Sequence, residues 1–97
     1  MEVDFDDDDL AKVERDSTAT VGRGESVDKG FRKLMQVIRA AVDERDFYAM
    51  KSLHFEKLEG SDTERSMRIT KQWRLIVELR GEAPKKRVGV LRVDDYH

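Results

Sequence analysis

Apolar and polar positions change their spacing along this chain, and each change marks an element. Val3 and Phe5 alternate with charged residues, the pattern of a short strand with one buried face. Asp6 to Asp9 supply an N-cap and negative charge where a helix dipole favours anions. Leu10 and Val13 follow at helical spacing, which predicts a helix near residues 7–16. Residues 17–25 are small and polar, carry Gly22 and Gly24, and read as a loop. Ser26 is the expected cap of a second helix. Val27, Phe31, Leu34, Met35, Ile38 and Val42 then recur at steps of three and four, a core-facing stripe running from 27 to about 45. Gly30 inside it costs roughly 1 kcal/mol relative to alanine and marks an expected point of close packing.

In the second half the spacing drops to two. Met67 and Ile69 alternate with Arg68 and Thr70; after Lys71-Gln72, the apolar Trp73, Leu75, Val77 and Leu79 alternate with Arg74, Ile76, Glu78 and Arg80. That is a hairpin with one apolar face. Gly81 to Lys86, which holds the sole proline, forms the next turn, and Arg87 to Asp94 forms a third strand. The order predicts an α+β domain, with a short N-terminal strand and two helices packed on one face of a small antiparallel sheet. The opposite face becomes the candidate working surface.

Ninety-seven residues suit one domain spanning 1–97. The absence of cysteine excludes disulfides and cysteine-ligated zinc. No apolar run approaches the ~20 residues of a membrane span, and the acidic start is unlike a signal peptide, so no membrane partner and a cytoplasmic location are expected. The net charge of −2 hides an uneven arrangement. Residues 1–46 hold 13 acids and 8 bases, whereas residues 47–97 hold 8 acids and 11 bases, so the back half is the part that can face a polyanion. A salt-rich solvated surface is the plainer reading of the same numbers.

Two histidines are available, His54 and His97, and a pair titrating near neutrality can share general base and general acid work. Arg68 and Arg74 project away from the apolar side of their strands. With Lys51, Lys57 and Arg65 they make a candidate basic floor, ordinary solvated decoration being the alternative. Metal-free RNA cleavage needs a base for the 2′-hydroxyl, cations for the phosphate and an acid for the leaving oxygen. Arginine forks match phosphate oxygens, and Tyr96 is able to stack on a base or donate a proton. His54, His97, Asp94 and Asp95 are metal-ligand types, but no pair has ligand spacing on one element, and no metal or cofactor is expected. The aspartate run lacks the glycine and distal glutamate of a calcium loop, which leaves capping as its role.

Four stretches together resemble a known family. These are Lys51 to Gly60 with its Leu53-His54 pair, Arg65-Ser66-Met67-Arg68-Ile69, Gln72-Trp73-Arg74-Leu75, and Val93-Asp94-Asp95-Tyr96-His97. In register and in order, they are similar to HigB-type toxins of the RelE/ParE superfamily, the toxins of bacterial type II toxin–antitoxin systems. The resemblance implies a RelE-like fold and a ribosome-dependent, metal-free messenger RNA endonuclease. It also implies a cognate HigA-like antitoxin, with the ribosome and mRNA as further partners and operator DNA reached only through the antitoxin. Carried over by position, His54 and His97 are the acid–base pair, assisted by Asp95 and Tyr96, while Lys57, Arg68 and Arg74 hold the phosphate. One departure stands out: Glu59 to Glu64 carries three acids where the family has a more basic turn. A non-catalytic, gyrase-poison-like toxin on the same fold is the alternative, in which both histidines are incidental.

Overall fold

The computed structural model describes residues 1–95. Its elements run β1 (Glu2–Phe5), α1 (Asp8–Arg15), α2 (Glu25–Ala40), α3 (Arg45–Ala49), a 3-10 turn (Lys51–Leu53), β2 (Glu56–Lys57), β3 (Glu64–Arg68), β4 (Trp73–Arg80) and β5 (Arg87–Asp95). The α+β order expected from the pattern is present. The sheet is larger than the predicted meander: five strands in the order β1-β5-β4-β3-β2. β1 joins it parallel to β5, with Val3 beside Val88 and Phe5 beside Val90, and the other pairings are antiparallel.

Helix α1 begins where the acidic run places it, Asp7 accepting the Asp9 N–H at 2.9 Å. α2 starts earlier than expected, with Gly24 (φ 100°) rather than Ser26 at its cap. Asp28 on its first turn accepts from the Thr20 hydroxyl and the Val21 N–H, both at 2.8 Å, and so fixes the preceding loop. α2 also stops at Ala40, short of the expected 45, and Val42 is 83% exposed instead of joining the stripe. The physical cause is remote in sequence. The Met1 ammonium donates to the carbonyls of Ile38, Arg39 and Ala41 at 3.1, 3.0 and 2.6 Å, supplying donors to the helix end. The Asp46 carboxylate then takes the Val42 N–H at 2.8 Å and turns the chain into α3.

One sheet face carries the core. Met67, Leu75, Val77, Val88 and Val90 pack there against Leu10 and Val13 of α1 and Phe31, Leu34, Met35 and Ile38 of α2. Gly30 is the close approach its position suggested: a Cβ there would lie 2.8 Å from Ile69 Cγ2 and 3.1 Å from the Ile69 carbonyl oxygen. A bulge between Ile76 and Val77 shifts the parity of β5. Val88 and Val90 therefore face the core, while Arg92 and Asp94 fall on the face of Ile76 and Arg74. At the β1 end of that outer face, Arg80 binds Asp6 at 2.7 Å, Glu78 at 2.8 Å and Asp4 at 3.7 Å. Its guanidinium lies over Gly89, where any Cβ would sit 2.4 Å away. Among the described residues no helix is long and apolar enough to cross a membrane.

Candidate active site

The segment before β2 delivers His54 to the outer face. Leu53 and Phe55 are both buried, 6% and 7% exposed, and the Phe55 ring packs on Phe47 and Tyr48 at 5.3 and 4.8 Å. Between these two anchors the backbone turns through a left-handed residue, His54 itself (φ 49°, ψ 47°). Such a conformation at a non-glycine residue costs of order 1–3 kcal/mol and persists only where its surroundings impose it. An exposed side chain is thereby held on a fixed main chain.

Strand register brings the bases to it. Arg68 on β3 lies directly opposite Arg74 on β4, and Asp94 on β5 lies opposite Arg74 from the other side. Arg68 Nη1 is 3.3 Å from His54 Nε2, and Arg74 Nη1 donates to the His54 carbonyl at 3.5 Å. His54, Arg68 and Arg74 thus converge on one face. Beside them is a cleft of about 400 Å³ whose walls include Lys57, Ser66, Arg74, Ile76, Asp94 and Asp95.

The expected basic floor needs correction in three respects. Arg74 is buried, 7% exposed, and Ser66 and Ile76 beside it are buried as well, so this face is a packed cleft rather than an open plane of solvated cations. Arg65 stands opposite Val77, on the other face from Arg68, and spends its guanidinium on the Asp62 and Glu64 carbonyls. Lys57 is exposed at the rim and rests on Asp62 at 3.3 Å, within the acidic turn noted in the sequence. Lys51 is exposed in the 3-10 turn.

Asp95 is exposed at the end of β5, opposite Trp73, and lines the cleft. Tyr96 and His97 lie outside the described residues. The pattern did not reveal the structural part of Asp94, nor Glu56 and Arg92, nor that Glu59 of the acidic turn lines the cleft and Glu64 pairs with Arg92. Arg92 binds Glu64 at 2.7 Å and Asp94 at 2.9 Å. Burial works against the Arg92 cation, but these two carboxylates outweigh it and raise its pKa. The cleft is therefore mixed in charge, with Glu56, Glu59, Asp94 and Asp95 around Lys57 and Arg74. One signal was readable: the spacing Val88, Val90, Val93 breaks period two and betrays the bulge.

A scan against protein-family models finds no match, and a search of curated proteins finds none. Among solved structures, the YoeB/ParE toxin from Agrobacterium tumefaciens superposes with a TM-score of 0.57 at 16% identity, over 100% of each chain. The chain has the fold of a YoeB/ParE toxin. At that identity the likeness establishes the fold alone. The chemistry has to be argued from the residues in the cleft.

Proposed function

We propose that this chain is the toxin of a type II toxin–antitoxin pair and acts as a ribosome-dependent mRNA endoribonuclease. The observation that carries the reading is the contact of both Arg68 and Arg74 with His54 on one sheet face, beside a cleft that Arg74 lines. A guanidinium has donors only, so a hydrogen bond from Arg68 to Nε2 of His54 would be accepted by the imidazole that carries its proton on Nδ1. That is the form a general base needs.

In the proposed reaction His54 takes the proton of a ribose 2′-hydroxyl, and the 2′-oxygen attacks the adjacent phosphorus. The bond from phosphorus to the 5′-oxygen breaks, leaving a 2′,3′-cyclic phosphate and a 5′-hydroxyl. Arg68 and Arg74, with Lys57 swinging from Asp62, hold the phosphate and its growing charge. His97 gives the leaving oxygen its proton, with Asp95 and Tyr96 placing the substrate. The fold shared with a YoeB/ParE toxin supports an antitoxin as the neutralising partner; its HigA-like type, and a ribosome presenting the messenger, rest on the resemblance of the four sequence stretches. The cleft is small and ringed with carboxylates, which favours RNA delivered by a larger assembly over capture of free RNA by charge alone.

The test is purified chain added to ribosomes programmed with a defined messenger. Cleavage is expected from the wild type and not from His54→Ala or His97→Ala. Undiminished cleavage in both variants would overturn the site, and supercoiling inhibition without cleavage would transfer the chain to the gyrase-poison class.

A further inference from the structure

β5 has one open edge. On one side it pairs with β4 as far as Asp95. On the other, β1 covers only Arg87–Val90, and the Asp6 N–H closes that pairing on the Val90 carbonyl at 3.0 Å. Leu91 to Asp95 run on past it, and among the described residues no strand lies along their outer side. An exposed edge of this kind presents main-chain donors and acceptors to any strand that comes alongside. Edges are commonly protected by charges that repel a second strand. The charges here do the reverse in one particular register.

If the segment Leu91-Arg92-Val93-Asp94-Asp95 is set antiparallel to itself about Val93, Arg92 of each copy falls opposite Asp94 of the other, and Val93 faces Val93. Leu91 meets Asp95, and no like charges face each other. A parallel in-register pairing would set arginine on arginine and aspartate on aspartate. We propose that this edge joins two copies of the chain, antiparallel about Val93, into one continuous sheet across a two-fold axis.

The arrangement is isologous, as most dimer contacts are. Each copy already holds Arg92 between Asp94 at 2.9 Å and Glu64 at 2.7 Å, and the pairing joins the two clusters across the axis. A hollow of about 400 Å³ beside the edge has walls of mixed character, Val21 and Val93 next to Asp9, Lys12 and Arg23. Asp94 and Asp95 also line the candidate cleft, so Arg92 of the second copy adds a cation at the border of the first copy's site. A five-residue edge is small beside a standard interface, which makes the association weak and concentration-dependent.

Sedimentation equilibrium of the full chain over a concentration series tests this without any RNA or ribosome, so its outcome is separable from that of the nuclease reading. The wild type is expected to pass from monomer to dimer. R92D alone and D94R alone, each confirmed as folded by circular dichroism, are expected to stay monomeric, because each sets like charges across the axis. An equimolar mixture of the two is expected to dimerise, since every introduced charge then meets an opposite one, and the R92D/D94R double variant is expected to recover. The chain has no cysteine, so V93C provides a second readout that keeps these charges in place. Under oxidation it is expected to form a covalent dimer far faster than T63C in the exposed β2–β3 turn. A wild type that is monomeric throughout, a mixture no more associated than either variant, or V93C linking no faster than T63C would each overturn the proposal.

Discussion

Gly30→Ala sets two known effects against each other at one atom. In an exposed helix the change stabilises by about 1 kcal/mol, since glycine is that much poorer than alanine in a helix interior. Here the added methyl would lie 2.8 Å from Ile69 Cγ2, well inside the ~3.5–4.0 Å of a relaxed carbon contact. It would also press the Ile69 carbonyl oxygen at 3.1 Å. Cγ2 sits on a stiff β-branched side chain, and the oxygen belongs to the backbone, so neither yields cheaply. Overpacking of this kind costs typically 1–3 kcal/mol, which leaves a net destabilisation of about 1 kcal/mol. For a chain of this size that is a fall in Tm of roughly 4–8 °C. The assay is a double-mutant cycle by urea unfolding with Ile69→Ala, which removes Cγ2. In that background Gly30→Ala should be less unfavourable by about 1 kcal/mol or more. A stabilised single variant with no coupling to Ile69 would refute the packing. Ile69 follows Arg68 directly, so the same clash should also weaken the contact between Arg68 and His54.

Arg68→Ala should lower ribosome-dependent cleavage by roughly 10²–10³-fold, the usual loss when a donor to transition-state charge is removed, while unfolding stability barely moves. Arg68→Lys, which keeps the charge without the fork, should recover part of that activity, and single-turnover cleavage rates distinguish the three. Arg80→Met breaks the cluster with Asp4, Asp6 and Glu78 that ties β1 to the sheet, and should cost about 1 kcal/mol in urea unfolding, less as salt rises. Acid should also destabilise the fold. A hydrogen bond from the Arg45 side chain holds Asp43 down from 3.8 to about 2; Lys86 lowers Glu44 and Arg80 lowers Asp6 in the same way. Each depressed carboxylate binds fewer protons folded than unfolded, so its contribution is complete above the ordinary carboxylate range and is lost as pH falls towards 2. Urea midpoints that stay constant on acidification from pH 5 would contradict this.

The parts of the fold legible in the sequence are those written in local periodicity. The α2 stripe, the β3–β4 hairpin and the acidic start of α1 all rest on neighbours within a few residues. What escaped depended on distant partners. β1 finds its place beside β5 across the whole chain, and α2 stops at Ala40 because Met1 reaches its last carbonyls. The site was legible in the same uneven way. Alternation placed Arg68 and Arg74 on one face, and the pairing register then set them directly opposite each other. Alternation could not show that Arg74 is buried, because burial on that face comes from strands joined only in the fold. Nor could it show the left-handed turn at His54, which is set by the burial of Leu53 and Phe55 on either side. Which side Arg92 and Asp94 face was not legible, because the bulge opposite Ile76 and Val77 changes it.

The central claim is that His54, beside this cleft, removes a 2′-hydroxyl proton. End analysis of messenger cut on programmed ribosomes tests it most directly. A 2′,3′-cyclic phosphate and a 5′-hydroxyl are expected from the wild type, and neither product from His54→Ala. A 3′-hydroxyl paired with a 5′-phosphate, or cyclic phosphate formed at an undiminished rate by His54→Ala, would contradict it.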